Sequence, residues 1–301
     1  MYRTNAPCLI GGAARNHVGF GHPGLEFFSQ STGFAACRCH ERDAVLAYDE
    51  DLAFAHDAGY CDFVAAAGEG ILQSLADAGW YRDPATQLTA GNATVNRNHV
   101  VDLGCGSGVW AAKLLSHGFE VTGVDLSPDM VALARESAPE ATLICSASEN
   151  AALPRACCIT ALGEAFNYMD DAGNRQDVDK IFKHCYEALT PGGLLIFDVA
   201  TPGRCGGGTR QTHRHGEDWA VISDAVEDVT SATLERHIIT FRRVGDSYRR
   251  SDETHRLVLY DVDSIRKQLQ SLGLEVNVAN HYVKRFPFPP GLTAFFARKP
   301  A

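Results

Sequence analysis

The 301-residue sequence contains no run of about 18 consecutive apolar residues, the length a membrane-crossing helix needs. The short apolar piece "PCLIGGAA" near the start is too brief and too weakly flanked for a secretory signal. Arg3 and Arg15 would suit a cleaved organellar leader, but Glu26 and Glu41 oppose one. Long basic blocks are also missing. Lys and Arg total 27 against 37 Asp and Glu, a net charge of -10, which argues against nucleic acid as a general partner. Ten cysteines occur without an export signal and mostly inside expected strands and helices, so free buried thiols are expected rather than bridges. "CRCH", Cys37 to His40, lacks the second spaced pair that a metal site requires, and no metal is expected. These absences predict a cytoplasmic protein, monomeric or homodimeric, with no membrane partner.

What remains is a chain with 45% hydrophobic residues, enough for one α/β core and a small appendage. Residues 1–43, rich in Gly, Ala and His, show no sustained period and read as a loosely ordered arm. A helical pattern follows, with Val64, Ala67, Ile71, Leu72 and Leu75 on one face and Gly79 at its end. Gly68 and Gly70 weaken that expectation, each costing roughly 1 kcal/mol against alanine. After Gly91 strands and helices alternate, the signature of a parallel sheet covered on both faces. "HVVDLG", "EVTGVDLS", "ATLICSA", "CCITALGEAF" and "LLIFDVA" supply five strands, the last almost wholly apolar and so central. Ser127 and Pro128 cap and start one helix. Another, carrying Val178, Ile181, Phe182, Cys185 and Leu189, ends at "TPGG". From Gly203 to Tyr260 the rhythm changes to a glycine-rich loop and alternating segments with a turn at Gly245 and Asp246, a small antiparallel insertion. The domain reading is therefore 44–202 with 261–301, interrupted by a lid over 203–260.

The stretch "VVDLGCGSGVW" joins the first strand to its helix through Gly104, Gly106 and Gly108. Such a turn points backbone N–H groups into a crevice, and glycine is needed where a side chain would block a ligand. The spacing is G-x-G-x-G rather than the dinucleotide G-x-G-x-x-G. Asp102, two residues before the first glycine, would repel a pyrophosphate and suits a ligand with an ammonium or sulfonium centre. Asp125, ending the second strand, fits a carboxylate that accepts ribose hydroxyls, a role shared with NAD enzymes.

"VVDLGCGSG", "VTGVDLSPDMVALAR", "ITALGEAFNYM" and "LTPGGLLIFDV", in this order, resemble the successive motifs of class I S-adenosylmethionine-dependent methyltransferases over residues 45–301. The resemblance implies a Rossmann-like, mostly parallel seven-stranded sheet with an antiparallel last strand and helices on both faces. It further implies S-adenosyl-L-methionine as cofactor and S-adenosyl-L-homocysteine as product. Asp102, Gly104, Cys105 and Gly106 would line the methionine end, Asp125 the ribose and Leu126 one adenine face. Ala147 and Ser148 would meet the adenine edge, where "SASEN" leaves the hydrogen bond to backbone, Ser148 or Glu149. Leu162 and Gly163 would pass under the sulfonium, and Tyr48 would close over the cofactor.

The expected activity is in-line methyl transfer to an oxygen, nitrogen or sulfur atom of a small molecule. Amine, phenol and alcohol acceptors require proton removal. The site candidates are Glu164 at the strand edge for a cofactor-amine or substrate contact, Tyr168 and Asn167 on the pocket rim as structural or substrate-contacting residues, and His213 and His215 in a flexible lid, with His56 and His281 behind them. Arginines 236, 242, 243, 249, 250 and 256 read mainly as a solvated face paired with Glu235, Asp246, Asp252 and Glu253, with recognition of an anionic substrate or a partner as the alternative. A non-catalytic cofactor-binding or scaffold protein, another reaction on the same cofactor, and an NAD enzyme are the competing readings.

Overall fold

The computed structural model describes residues 47–81 and 98–301. The 1–43 arm and Cys37 to His40 lie outside the described residues. Helices α1 (Glu50–Gly59) and α2 (Cys61–Asp77) divide the expected helical stretch at Tyr60, whose φ of −121° and ψ of 14° leave the helical region. Asp49 caps α1 by accepting the N–H groups of Asp51 and Leu52. The two glycines of α2 are explained by close approach. A Cβ at Gly70 would meet the carbonyl oxygen of Tyr282 at 2.1 Å, and one at Gly68 the Trp110 ring at 2.7 Å.

From residue 99 the chain alternates β1 (His99–Leu103), α3 (Val109–Ser116), β2 (Glu120–Asp125), α4 (Pro128–Ser137), β3 (Thr142–Cys145), β4 (Ala156–Ala161), α5 (Val178–Ala188) and β5 (Leu189–Ala200). Four strands, β6 (Thr209–His215), β7 (Trp219–Asp228), β8 (Thr233–Val244) and β9 (Ser247–Val258), then form a separate antiparallel meander. Helix α6 (Val262–Ser271), β10 (Glu275–Ala279) and β11 (Leu292–Arg298) return to the main sheet. Its order is β10-β11-β5-β4-β1-β2-β3, with β11 antiparallel to both neighbours and the other pairs parallel.

Strand alternation sends alternate side chains into two cores, one on each face of this sheet. Val101, Ile159, Phe197 and Phe295 meet Ile181 and Phe182 of α5 and Ile265 and Leu269 of α6. Val100, Cys158, Ile196 and Ala294 meet Ile71 and Leu75 of α2 and Trp110 and Leu114 of α3. Cys105, Cys157, Cys158 and Cys185 are free, buried thiols.

Two boundaries differ from expectation. Leu189 opens β5 rather than closing α5, and "TPGG" lies within the strand as a register shift against β4. The expected glycine-rich loop contains a regular strand, β6, paired along its length with β7. No helix among the described residues is long and apolar enough to cross a membrane.

Candidate active site

A cleft of about 730 Å³ opens where the ends of β1, β2 and β4 face the second sheet. One wall is made by loops of the main sheet, the other by a face of the meander together with α1.

The loop wall begins with the three glycines, at φ +70°, +53° and +80°. The N–H groups of Gly104 and Cys105 donate to the Val124 carbonyl at 2.7 and 3.0 Å, tying the turn to β2. A Cβ at Gly104 would strike Ala165 at 2.7 Å, and one at Gly108 would strike Ser137 of α4 at 2.7 Å. Only Gly106 faces open space within this turn. Two of the three glycines therefore serve packing, and one keeps the cleft floor clear.

Asp102 is buried and accepts the Thr160 hydroxyl at 2.7 Å. Burial pushes its carboxyl up to about 7, against the Thr160 hydrogen bond and with help from the nearby Asp125 charge. Cys105 packs its thiol against Gly123, and burial raises that thiol's pKa. Asp125 accepts the Gly106 N–H at 2.8 Å and the Ser127 N–H at 2.9 Å on separate oxygens, each of which keeps a lone pair for a hydroxyl donor. Leu126 stands 52% exposed beside it, an apolar plate in the cleft. Ala147, Ser148 and Glu149 complete this end. The buried Glu149 Oε2 has no hydrogen-bond partner among the described residues.

The junction of the two walls is organised by Asp198, fully buried near the end of β5. It accepts the N–H groups of Gly163 and Glu164 at 2.8 and 2.7 Å and the Tyr282 hydroxyl at 2.6 Å. Burial still pushes its carboxyl up to about 6. These bonds hold Glu164 at φ +66°, a strained conformation for a residue with a side chain. They aim its carboxylate between Arg204 Nε at 2.5 Å and Arg236 Nη2 at 2.6 Å. Burial opposes the charge of Glu164, but the two guanidiniums outweigh it and hold the carboxyl below the usual range.

Next to this triad, the Tyr48 and Tyr168 hydroxyls meet at 2.9 Å. Both rings lie against His255, with centroids 5.1 and 5.5 Å away. His255 is buried and bonds through Nε2 to Glu253 at 2.7 Å. Glu253 also accepts the N–H groups of Tyr48 and Asp49 at 2.7 and 3.0 Å. Its burial disfavours charge, yet the His255 hydrogen bond and these donors hold the carboxyl below its usual range. An ionised carboxylate can only accept, so Nε2 carries a proton, and in the neutral imidazole Nδ1 is then the acceptor.

Residues 100–193 match the model of a methyltransferase domain family. The chain is 27% identical over 217 residues to a protein of Geobacillus sp. (strain WCH70) named as a methyltransferase, covering 66% of this chain and 83% of that one. These matches support reading the chain as a class I S-adenosylmethionine-dependent methyltransferase. Its fold is shared with an S-adenosylmethionine-dependent methyltransferase from Clostridium acetobutylicum, at TM-score 0.64 and 20% identity over 82% of this chain and 98% of that one. The sugar N-methyltransferase KedS8 from Streptoalloteichus sp. also shares it, at TM-score 0.64 and 18% identity over 93% of this chain and all of that one.

The loop wall has the chemistry to hold S-adenosylmethionine, the cofactor that the sequence motifs imply. An acid suits its ammonium group, paired lone pairs suit a diol, an apolar plate suits a purine face, and the orphaned Glu149 oxygen suits an amino group.

Several expected catalytic residues stand elsewhere than the sequence suggested. His213 and His215 sit on β6 rather than on a flexible lid, and neither lines the cleft. Alternation turns Arg210 and Thr212 toward the cleft and the two histidines to the opposite face. Glu164 lies at the cleft, but its two oxygens are engaged by arginines, which leaves it unsuited to receive a proton. Asn167 staples β5 to β9 through the Ala200 and Val258 backbones, a structural role. His281 bonds Asn280 outside the cleft. His56 lines it, but burial pushes its imidazole down to about 4, leaving a weak base. Tyr48 and Tyr168 line it together.

The arginines divide as well. Arg250 and Arg256 pair with Asp252 and Glu235 at the surface, whereas Arg236 turns inward. Sequence reading missed the Glu253–His255 pair and Arg204. The signal for the first was present in "DETHRL", where Glu253 and His255 at i and i+2 must share one face of a strand.

Proposed function

We propose that this methyltransferase acts on an amine or hydroxyl group of a small molecule held between the loop wall and the sheet wall, with His255 as the proton acceptor. The oriented Glu253–His255 pair carries this reading. Thiol and carboxylate acceptors need little more than positioning, whereas an amine, phenol or alcohol must lose a proton. An imidazole fixed by a buried carboxylate beside the cleft is suited to take it.

S-adenosylmethionine supplies an electrophilic methyl group to an in-line acceptor. Asp102 would pair with the ammonium group, Asp125 would accept the ribose hydroxyls, Leu126 would cover an adenine face, and Glu149 with Ala147 and Ser148 would read the adenine edge. Leu162 and Gly163 would line the sulfonium end. The backbone of Gly104, Cys105 and Gly106 bounds the methionine end. Tyr48 and Tyr168, joined through their hydroxyls, shield the reacting end from water, and His255 Nδ1 receives the acceptor's proton while Glu253 stabilises the resulting imidazolium.

The test is release of S-adenosylhomocysteine across panels of amines, phenols, alcohols and thiols, run with wild type and His255→Gln. The expected outcome is turnover with an amine or hydroxyl acceptor that falls about 100-fold in kcat in the variant. Affinity for S-adenosylhomocysteine should stay within about twofold, since the imidazole acts on the acceptor. Turnover confined to thiols, or an undiminished kcat in His255→Gln, overturns the assignment.

A further inference from the structure

We infer that the acceptor carries an anionic oxygen group, a carboxylate or a phosphoryl group, received by Arg204, Arg210 and Arg236 on the sheet side of the cleft. This rests on the methyltransferase reading above and names the class of its substrate.

All three arginines line the cleft. Arg210 of β6 stands opposite Ala225 of β7, which stands opposite Arg236 of β8, so the two guanidiniums rise from one face with only a methyl group between them. Two strand spacings, roughly 10 Å, separate their backbones, a span that two long side chains close easily onto one anion. Arg204 reaches the same place from the turn after β5, since each of the three positive charges acts on the Cys205 thiol.

Its position is built rather than incidental. Glu227 accepts the flanking N–H groups of Gly203 and Cys205 at 2.6 and 2.8 Å, and a Cβ at Gly291 would strike the Arg204 nitrogen at 2.3 Å.

The charges do not balance. Glu227 faces the backbone of the turn, and Glu164 meets Arg204 and Arg236 through one nitrogen of each. The remaining nitrogens of both have no protein partner among the described residues, and Arg210 has no carboxylate partner there. One arginine would suffice to neutralise Glu164. A second largely buried cation adds a desolvation cost that an incoming anion offsets. Planar guanidiniums pre-set by Glu164 match the forked geometry of carboxylate or phosphate oxygens. In a chain of net charge -10, this is a local positive pocket.

The experiment is calorimetric titration of the S-adenosylhomocysteine-saturated protein with inorganic pyrophosphate and, separately, with succinate, at low salt. Binding of at least one probe is expected, weakened by added NaCl. It should fall about tenfold in Arg204→Gln and in Arg210→Gln, the loss of one charge-assisted hydrogen bond each. Preference for pyrophosphate identifies a phosphoryl group, and preference for succinate a carboxylate. Failure of both probes while S-adenosylhomocysteine binds normally overturns the anionic acceptor and leaves the methyltransferase reading intact. Failure of S-adenosylhomocysteine itself brings down both. Arg210 is exposed, so its variant keeps the test decisive should Arg204→Gln fold poorly, and unchanged probe affinity in Arg210→Gln also overturns the proposal.

Discussion

The two walls of the cleft draw on the chain in different ways. The loop wall takes Asp102, Gly104, Gly106, Asp125, Ala147 and Leu162 from successive strand ends of one parallel sheet, and much of what it presents is backbone geometry. The sheet wall collects Tyr48 from the residues just before α1, Tyr168 from the segment after β4, Arg204 from the turn after β5, and Arg210, Arg236 and His255 from three strands of the meander. Its contribution is almost wholly side chain. A cofactor common to many enzymes calls for the first kind of surface, and an individual acceptor for the second.

The comparison breaks most visibly at Asp125. Asp125→Ala removes the acceptors of the Gly106 and Ser127 N–H groups and of the proposed ribose contacts. Affinity for S-adenosylhomocysteine should fall about 100-fold by calorimetry, the loss of charge-assisted hydrogen bonds in a half-buried site. The acceptor KM at saturating cofactor should stay within about twofold. A change in acceptor KM with cofactor affinity intact would show that the walls do not divide the work in this way.

Asp102 sharpens the same contrast through pH. Its carboxyl is raised to about 7 in the folded protein, largely by burial. In the unfolded chain it titrates near ~3.9. The folded state therefore holds a proton that the unfolded state releases, and this stabilisation, complete below the unfolded value, is lost as pH rises toward about 7. A bound ammonium group favours the ionised form, so affinity for S-adenosylmethionine should rise with pH, by at most about tenfold per unit, and level off above about 7. Calorimetry from acidic to neutral pH measures this slope, and Asp102→Asn should flatten it. A slope that persists in the variant places the titrating group elsewhere.

Legibility in the sequence followed the same division. The glycine turn, Asp102, Asp125, the Ser127–Pro128 helix start and the closing hairpin are local patterns, each readable within a few residues because backbone geometry dictates residue type. The sheet wall was not readable in that way. His213 and His215 read as part of a flexible lid after the fifth strand, but β6 pairs with β7 and its alternation turns them from the cleft. Glu164 was placed at the cleft, yet its arginine partners lie 40 and 72 positions along the chain. Arg236 looked the same as Arg250 and Arg256 in a run of charged residues, and only the register of β8 distinguishes it. Tertiary pairing decides such roles, and single-sequence periodicity does not encode which strand lies opposite which.

The smallest expected effect tests that distinction among arginines. Arg256 pairs with Glu235 across β8 and β9 at 2.9 Å, but both side chains are about half exposed and neither lines the cleft. A pair of this kind gains little Coulomb energy in water and spends side-chain entropy to hold its geometry. Arg256→Ala should change unfolding free energy in urea by no more than about 0.5 kcal/mol. Turnover and affinity for S-adenosylhomocysteine should match wild type. Arg236→Ala, in contrast, strips one partner from the buried Glu164 carboxylate, so a cost several times larger is expected in the same urea titration. Equal costs at the two positions would show that the inward arginine is no more than another member of the solvated face.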